Sequence, residues 1–157
     1  MNDQLNIPKM FTMLIGIPGS GKSTWLKDQH PDSKNVVCPD EIRHWLLNDI
    51  SDQSQNSTVW NIAIYTLIWN IRKNNPVILD ATNVNTVLRM NLLSRLPSCT
   101  KKAIIFEVDP DTAIQRVKND TNYRANVTND VIYRMYGEFL YTKKVINQEN
   151  WSEITYI

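Results

Sequence analysis

Short uninterrupted apolar runs alternate along this chain with segments whose apolar residues recur at helical spacing, a pattern that predicts five strands joined through helices. The first run is 10–15, and further runs follow at 35–38, 76–80, 103–108 and 152–157. Helices are predicted from Ser23 to about Gln29, from Asp40 with Glu41 on to Leu47, over 57–74, over 85–95, over 111–118, and from 128 to about 146 with Thr128 or Asn129 as its cap. Residues 119–126 are a polar connection. Strands that are apolar throughout are buried on both faces, so the expected architecture is α/β: a five-stranded parallel sheet in a three-layer fold. The segment 57–74 is apolar nearly all round, which predicts burial on most sides and places Trp60, Tyr65 and Trp69 in the core. Trp25 and Trp45 are expected to pack as well.

Composition changes this picture little. A chain of 157 residues is about one domain long, and the polar stretches at 29–34, 51–57 and 96–100 are loops within it, so a single domain over 1–157 is expected. The start of the chain lacks a charged segment followed by an apolar one, and no apolar run is long enough to span a bilayer, which predicts a soluble cytoplasmic protein without a membrane partner. Cys38 and Cys99 lie far apart without metal-ligand spacing and are expected to be reduced thiols. His30 and His44 lack any paired ligand pattern. The composition allows a homo-oligomer without specifying one.

Charge adds one detail. The formal net charge of +1 gives no global field for tracking long nucleic acid. Between residues 61 and 102, however, Arg72, Lys73, Arg89, Arg95, Lys101 and Lys102 face a single acid, Asp80. A solvated helix face with helix-end cations accounts for this most simply; a local groove for a phosphodiester strand is the sharper alternative, and it would show as salt-dependent oligonucleotide binding.

The chemistry begins directly after the first strand, where Gly16 to Thr24 read G-I-P-G-S-G-K-S-T and satisfy the phosphate-loop pattern G-x-x-x-x-G-K-[ST] in full. Gly16, Gly19 and Gly21 are expected to take positive φ so that the amides of Gly19, Ser20, Gly21, Lys22, Ser23 and Thr24 approach phosphate oxygens. Lys22 supplies a charge for the β/γ-phosphates, Ser23 a hydroxyl for Mg²⁺, and the following helix the positive end of its dipole. The motif therefore predicts a bound nucleoside triphosphate with Mg²⁺. It leaves three classes open: a kinase, a hydrolytic motor or switch, and a binding module without turnover.

The strand ending Leu79-Asp80-Ala81-Thr82 carries no glutamate after its aspartate to activate water, and no N-K-x-D segment reads guanine, so hydrolysis and switching lose ground. A kinase needs an acidic base beside the acceptor hydroxyl and cations around the moving phosphoryl. Asp40 and Arg43, three residues apart at a helix start, stand on one face and supply such a pair; an N-cap with an unrelated surface arginine is the plain alternative.

These motifs resemble the 5′-hydroxyl polynucleotide kinase domain of the phage type, within the small P-loop kinases. Residues 16–25 are similar to that family's G-x-P-G-S-G-K-S-T-W, Asp40-Glu41-Ile42-Arg43 to its D-x-x-R, Asp80-Ala81-Thr82-Asn83 to its D-x-T-N, and Asn129 to Tyr136 to the helix after its lid. The resemblance implies an ATP-dependent transfer to the 5′-hydroxyl of a DNA or RNA end. Asp40 would be the general base, and Arg43 would grip the phosphate 3′ to the accepting nucleoside. The resemblance also implies a small lid with a donor-clamping arginine; the stretch 116–124 offers Arg124 first and Arg116 second. Ala81 departs from the pattern of some members, leaving Asp80 as an outer Mg²⁺ group, a tie to Arg43 or a strand end. A kinase of a nucleoside, nucleotide sugar or other small alcohol is the second reading, and an NTP-hydrolysing or NTP-sensing module the third.

Overall fold

The structure is a computed structural model describing residues 9–30, 34–120 and 127–157. Among these residues the elements run β1 (Met10–Ile15), α1 (Lys22–Gln29), β2 (Val36–Val37), α2 (Pro39–Leu47), α3 (Asn56–Arg72), β3 (Val77–Leu79), α4 (Thr86–Arg95), β4 (Thr100–Ile105), α5 (Pro110–Lys118), α6 (Asn129–Val145), a short 3₁₀ turn (Ile146–Gln148) and β5 (Glu153–Tyr156). The strands form one sheet in the order β2-β3-β1-β4-β5, and every pairing is parallel. The expected α/β sheet is therefore present.

Alternation along the strands divides the core between the two faces of the sheet. Phe11, Met13 and Ile15 of β1, Val77 and Leu79 of β3, and Ala103 and Ile105 of β4 join Ala63, Leu67, Ile71, Leu93, Ile132 and Phe139 from α3, α4 and α6. On the other face Leu14, Ile78 and Phe106 pack with Leu26 of α1, and Trp25 lies edge-on to Phe106 with ring centroids 5.9 Å apart. Both faces of the sheet are thus covered, as strands apolar on both sides require.

Three sequence expectations are corrected. First, β4 begins three residues earlier than the apolar run 103–108, because its limits follow its ladder with β1, in which Met10 pairs with Thr100 and Ile15 with Ile105. Lys101 and Lys102 are accommodated as half-buried strand residues, and the Lys102 ammonium pairs with Glu153 of β5 at 2.6 Å. Second, α3 is not buried on most sides. Val59, Ala63, Ile64, Leu67 and Ile71 face the core, whereas Tyr65 and Trp69 are 69% and 62% exposed, and Trp60 is half-buried. Trp45 of α2 also lies outside the core, 79% exposed. Third, Arg89 does not belong to a solvated helix face: it is buried in the α4 stripe with Leu92 and Leu93.

Candidate active site

Parallel strands place the loops that follow them at one edge of the sheet. The phosphate loop leaves β1 at that edge, flanked by α2 after β2 and by residues 80–85 after β3. A cavity of about 550 Å³ opens there, lined by Gly19 to Thr24 together with Asp40, Thr82, Arg116 and Asp120.

The glycines of the loop serve different ends. Gly19 and Gly21 take the expected positive φ, 77° and 100°. Gly16 does not; a side chain there would press on Ser20 Oγ at 2.6 Å and on Phe106 at 3.0 Å, so close approach excludes larger residues. Gly19 is doubly constrained, because a Cβ would also meet the Ala113 carbonyl of α5 at 2.5 Å. Gly19→Ala is accordingly expected to cost about 1–3 kcal/mol of stability. It should also weaken ATP binding by about tenfold or more. Thermal denaturation and calorimetric titration check these two effects, and an unchanged affinity would contradict the loop's role.

Lys22 is buried, its ammonium donating to the carbonyls of Gly16 (2.8 Å) and Ile17 (2.9 Å) and to Ser20 Oγ (3.2 Å). It thereby closes the loop on itself and sets a positive charge at its centre. Gly21 caps α1 in the left-handed conformation without a side-chain acceptor, and no acid occupies the first turn. The first-turn amides have no intrahelical acceptor, so this helix end favours an anion. From α5, Arg116 donates to the Gly19 carbonyl at 3.2 Å, bringing a second cation to the loop. Arg124 lies outside the described residues.

Asp40 and Arg43 meet as their spacing predicts. The helix begins at Pro39 with Cys38 as N-cap, so Asp40 sits inside the first turn and is not the cap. Arg43 Nη1 donates to Asp40 Oδ1 at 2.5 Å, and Nη2 donates to Asn56 Oδ1 of α3 at 2.9 Å. The Arg43 side chain is only 5% exposed, against 31% for Asp40, and its Nε is buried without a hydrogen-bond partner. A guanidinium fixed from behind thus aims a half-exposed carboxylate into the cavity. Cys38 lies beside this pair; burial, reinforced by the charges of Asp80 and Asp40, pushes its thiol up to about 11 and keeps it protonated at neutral pH.

Residues 82–83 tie the loop to the sheet. Gly16 N–H donates to the Thr82 carbonyl at 2.9 Å, and Asn83, at φ 50°, donates from Nδ2 to the Leu14 carbonyl at 2.8 Å. Beneath them lies a buried ion pair that sequence reasoning missed. Arg89 forks onto Glu149 (2.9 and 2.5 Å), donates from Nη1 to the Asn83 carbonyl (2.7 Å) and Thr142 Oγ1 (3.1 Å), and from Nη2 to Thr86 Oγ1 (3.1 Å). The available signal was an arginine placed in the apolar stripe of its helix.

The profile of the AAA domain family matches residues 11–139. The chain belongs to this family. A comparison with curated proteins finds no match. Among solved structures, this AAA domain superposes on a chain of the Pnkp1/Rnl/Hen1 RNA repair complex with a TM-score of 0.78 and 19% identity, over 90% of this chain and 47% of that one. A second, described as the Pnkp1/Rnl/Hen1 complex, gives a TM-score of 0.64 and 20% identity over 80% and 44%. The AAA domain thus spans about half the length of the chains it matches. It has the P-loop kinase fold expected from its motifs. Among its described residues no helix is long and apolar enough to cross a membrane.

Proposed function

We propose that this domain is an ATP- and Mg²⁺-dependent kinase that transfers the γ-phosphoryl to the 5′-hydroxyl of a DNA or RNA end. One observation carries the reading: the Asp40 carboxylate, oriented by Arg43, opens into the same cavity as the phosphate loop. Donor and acceptor can therefore meet there. Likeness to chains of RNA repair complexes agrees with a nucleic-acid acceptor.

In the proposed reaction the loop amides and Lys22 hold the β/γ-phosphates, with Arg116 beside the loop and Arg124 from the lid stretch. Asp40 accepts the proton of the 5′-hydroxyl as its oxygen bonds to the γ-phosphorus. The bond from that phosphorus to the β,γ-bridging oxygen breaks, and ADP leaves. Such transfer depends chiefly on positioning and electrostatics, which the fixed Lys22, Arg43 and helix end supply. Arg43 offers its charge to the phosphate 3′ to the accepting nucleoside. Each of its terminal nitrogens spends one N–H within the protein and retains a second with which to meet that phosphate.

The donor set suits Mg²⁺, which takes few protein oxygens and completes its shell with phosphates and water. Ser23 lines the cavity and would hold the ion, with Asp80, next after β3, as the candidate outer group; no cluster of three metal-ligating side chains occurs among the described residues. Bound there, Mg²⁺ would neutralise phosphate charge.

ATP turnover measured with and without acceptors tests the reading. Turnover is expected to require a 5′-hydroxyl acceptor and to favour one bearing a 3′ phosphate over a free nucleoside. Substantial hydrolysis without acceptor would support the hydrolase instead, and exclusive use of small alcohols the small-molecule kinase.

A further inference from the structure

Arg43 is held by two acceptors of different kind. Asp40 is a carboxylate, whereas Asn56, the first residue of α3, is a neutral amide. A guanidinium only donates, so the atom that meets Arg43 Nη2 at 2.9 Å is the Asn56 oxygen, and the amide nitrogen faces away from it. Asn56 is itself exposed and lines a cavity of about 430 Å³ that shares Thr82 with the cavity of the phosphate loop. A ligand at the site can therefore reach it.

The fold by itself would favour a carboxylate at position 56. Arg43 is buried, with Nε lacking any hydrogen-bond partner, and a buried cation gains most from an ionised acceptor. The start of α3 makes the same demand. Gln55 caps the helix without a side-chain bond and the first turn holds no acid, so nothing there offsets the positive end of the dipole. An aspartate would meet both demands with nearly the same side-chain shape, and the amide meets neither. A buried cation and an uncompensated helix start thus come together at one exposed residue, where an anion brought from outside is accommodated. Each terminal nitrogen of Arg43 keeps one N–H for it.

Resting on the kinase reading above, we propose that Asn56 is a positioning residue that sets the class of acceptor: it fixes Arg43 through a neutral oxygen and so reserves the guanidinium charge for a phosphate carried by the acceptor. With carboxylates at both 40 and 56, two negative charges would flank the one guanidinium and repel that phosphate. With the amide, Arg43 stays in place and attracts it. Asn56 acts through Arg43 and touches neither the γ-phosphoryl nor the accepting hydroxyl, so its influence falls on acceptor binding more than on transfer. Stability forgone at position 56 is thereby exchanged for preference toward an anionic acceptor.

The test measures kcat and KM for a nucleoside 3′-monophosphate and for the free nucleoside, with thermal melting alongside, in the unaltered protein, Asn56→Asp and Asn56→Ala. The unaltered protein is expected to prefer the monophosphate in kcat/KM. In Asn56→Asp the KM for the monophosphate should rise by about tenfold or more, the effect of one added charge a few ångströms from the phosphate. That rise should exceed any change in kcat and any change in KM for the free nucleoside, so the preference falls toward one while the melting temperature holds or increases. Asn56→Ala removes the acceptor oxygen but adds no charge; it should melt lower and keep more of the preference than Asn56→Asp. A preference unchanged in Asn56→Asp, or lowered equally in both variants, overturns the role of Asn56 and leaves the kinase reading standing. A lower melting temperature in Asn56→Asp does the same, because the amide would then serve the fold. Failure of the unaltered protein to phosphorylate any 5′-hydroxyl acceptor overturns both.

Discussion

Asp40→Ala is expected to lower phosphoryl transfer by about 10²–10⁴-fold, the contribution usual for a positioned general base, while ATP affinity stays nearly intact. The affinity should persist because the groups proposed to hold the donor lie elsewhere: Lys22 on the carbonyls of Gly16 and Ile17, the uncapped start of α1, and Arg116 at Gly19. The alanine variant also strips the buried Arg43 of its Nη1 partner, so a loss of folding could mimic a loss of chemistry. Asp40→Asn separates the two. Its amide oxygen still accepts from Arg43, yet it cannot take a proton at neutral pH, so activity should fall as far while the melting temperature moves much less. Calorimetric titration with ATP, thermal melting and an acceptor assay on both variants decide the matter. Transfer retained in Asp40→Asn would remove Asp40 as the base.

Glu149→Ala should produce the largest loss of stability. Glu149 accepts two bonds from the fully buried Arg89 and one from Trp151 Nε1 at 2.9 Å, and its side chain is 5% exposed. Breaking a buried pair from one side leaves an uncompensated charge and costs about 3–5 kcal/mol. For a chain of this size that is a fall of roughly 6–20 °C in melting temperature. The damage should reach the active site, because Arg89 also holds the Asn83 carbonyl, Asn83 holds the Leu14 carbonyl, and the neighbouring Thr82 carbonyl holds Gly16. ATP affinity is therefore expected to fall together with stability. Glu149→Gln preserves the shape and an acceptor oxygen and should lose less of both. A melting temperature unchanged in Glu149→Ala would show that the pair contributes nothing net to the fold.

The two sites differ in how far they could be read from sequence, and the cause is the range of the contacts. The phosphate loop is a contiguous segment after an apolar run, and Asp40 and Arg43 are three residues apart on one helix, so local geometry is enough to join them. Arg89 and Glu149 are sixty residues apart, and only the packing of α4 against the turn after α6 makes them partners. The same limit explains α3. Counting apolar residues detects a helix but not which face meets the sheet, and Tyr65 and Trp69 fall on the face that does not. The start of β4 was likewise set by its partner strand, since the ladder with β1 recruits Thr100, Lys101 and Lys102 into the sheet whatever their polarity. Gly16 is a finer case: the glycine is required where expected, but by the crowding of Phe106 and not by a positive φ.

The proposed function requires one cavity to join a phosphate donor to a nucleic-acid 5′-hydroxyl through Asp40. The most direct measurement incubates the protein with ATP labelled at the γ-phosphate, Mg²⁺ and a single-stranded oligonucleotide bearing either a 5′-hydroxyl or a 5′-phosphate. Label is expected on the 5′-hydroxyl strand alone, and is expected to be lost in Asp40→Asn. ATP consumed at the same rate with neither strand labelled would contradict the proposed function.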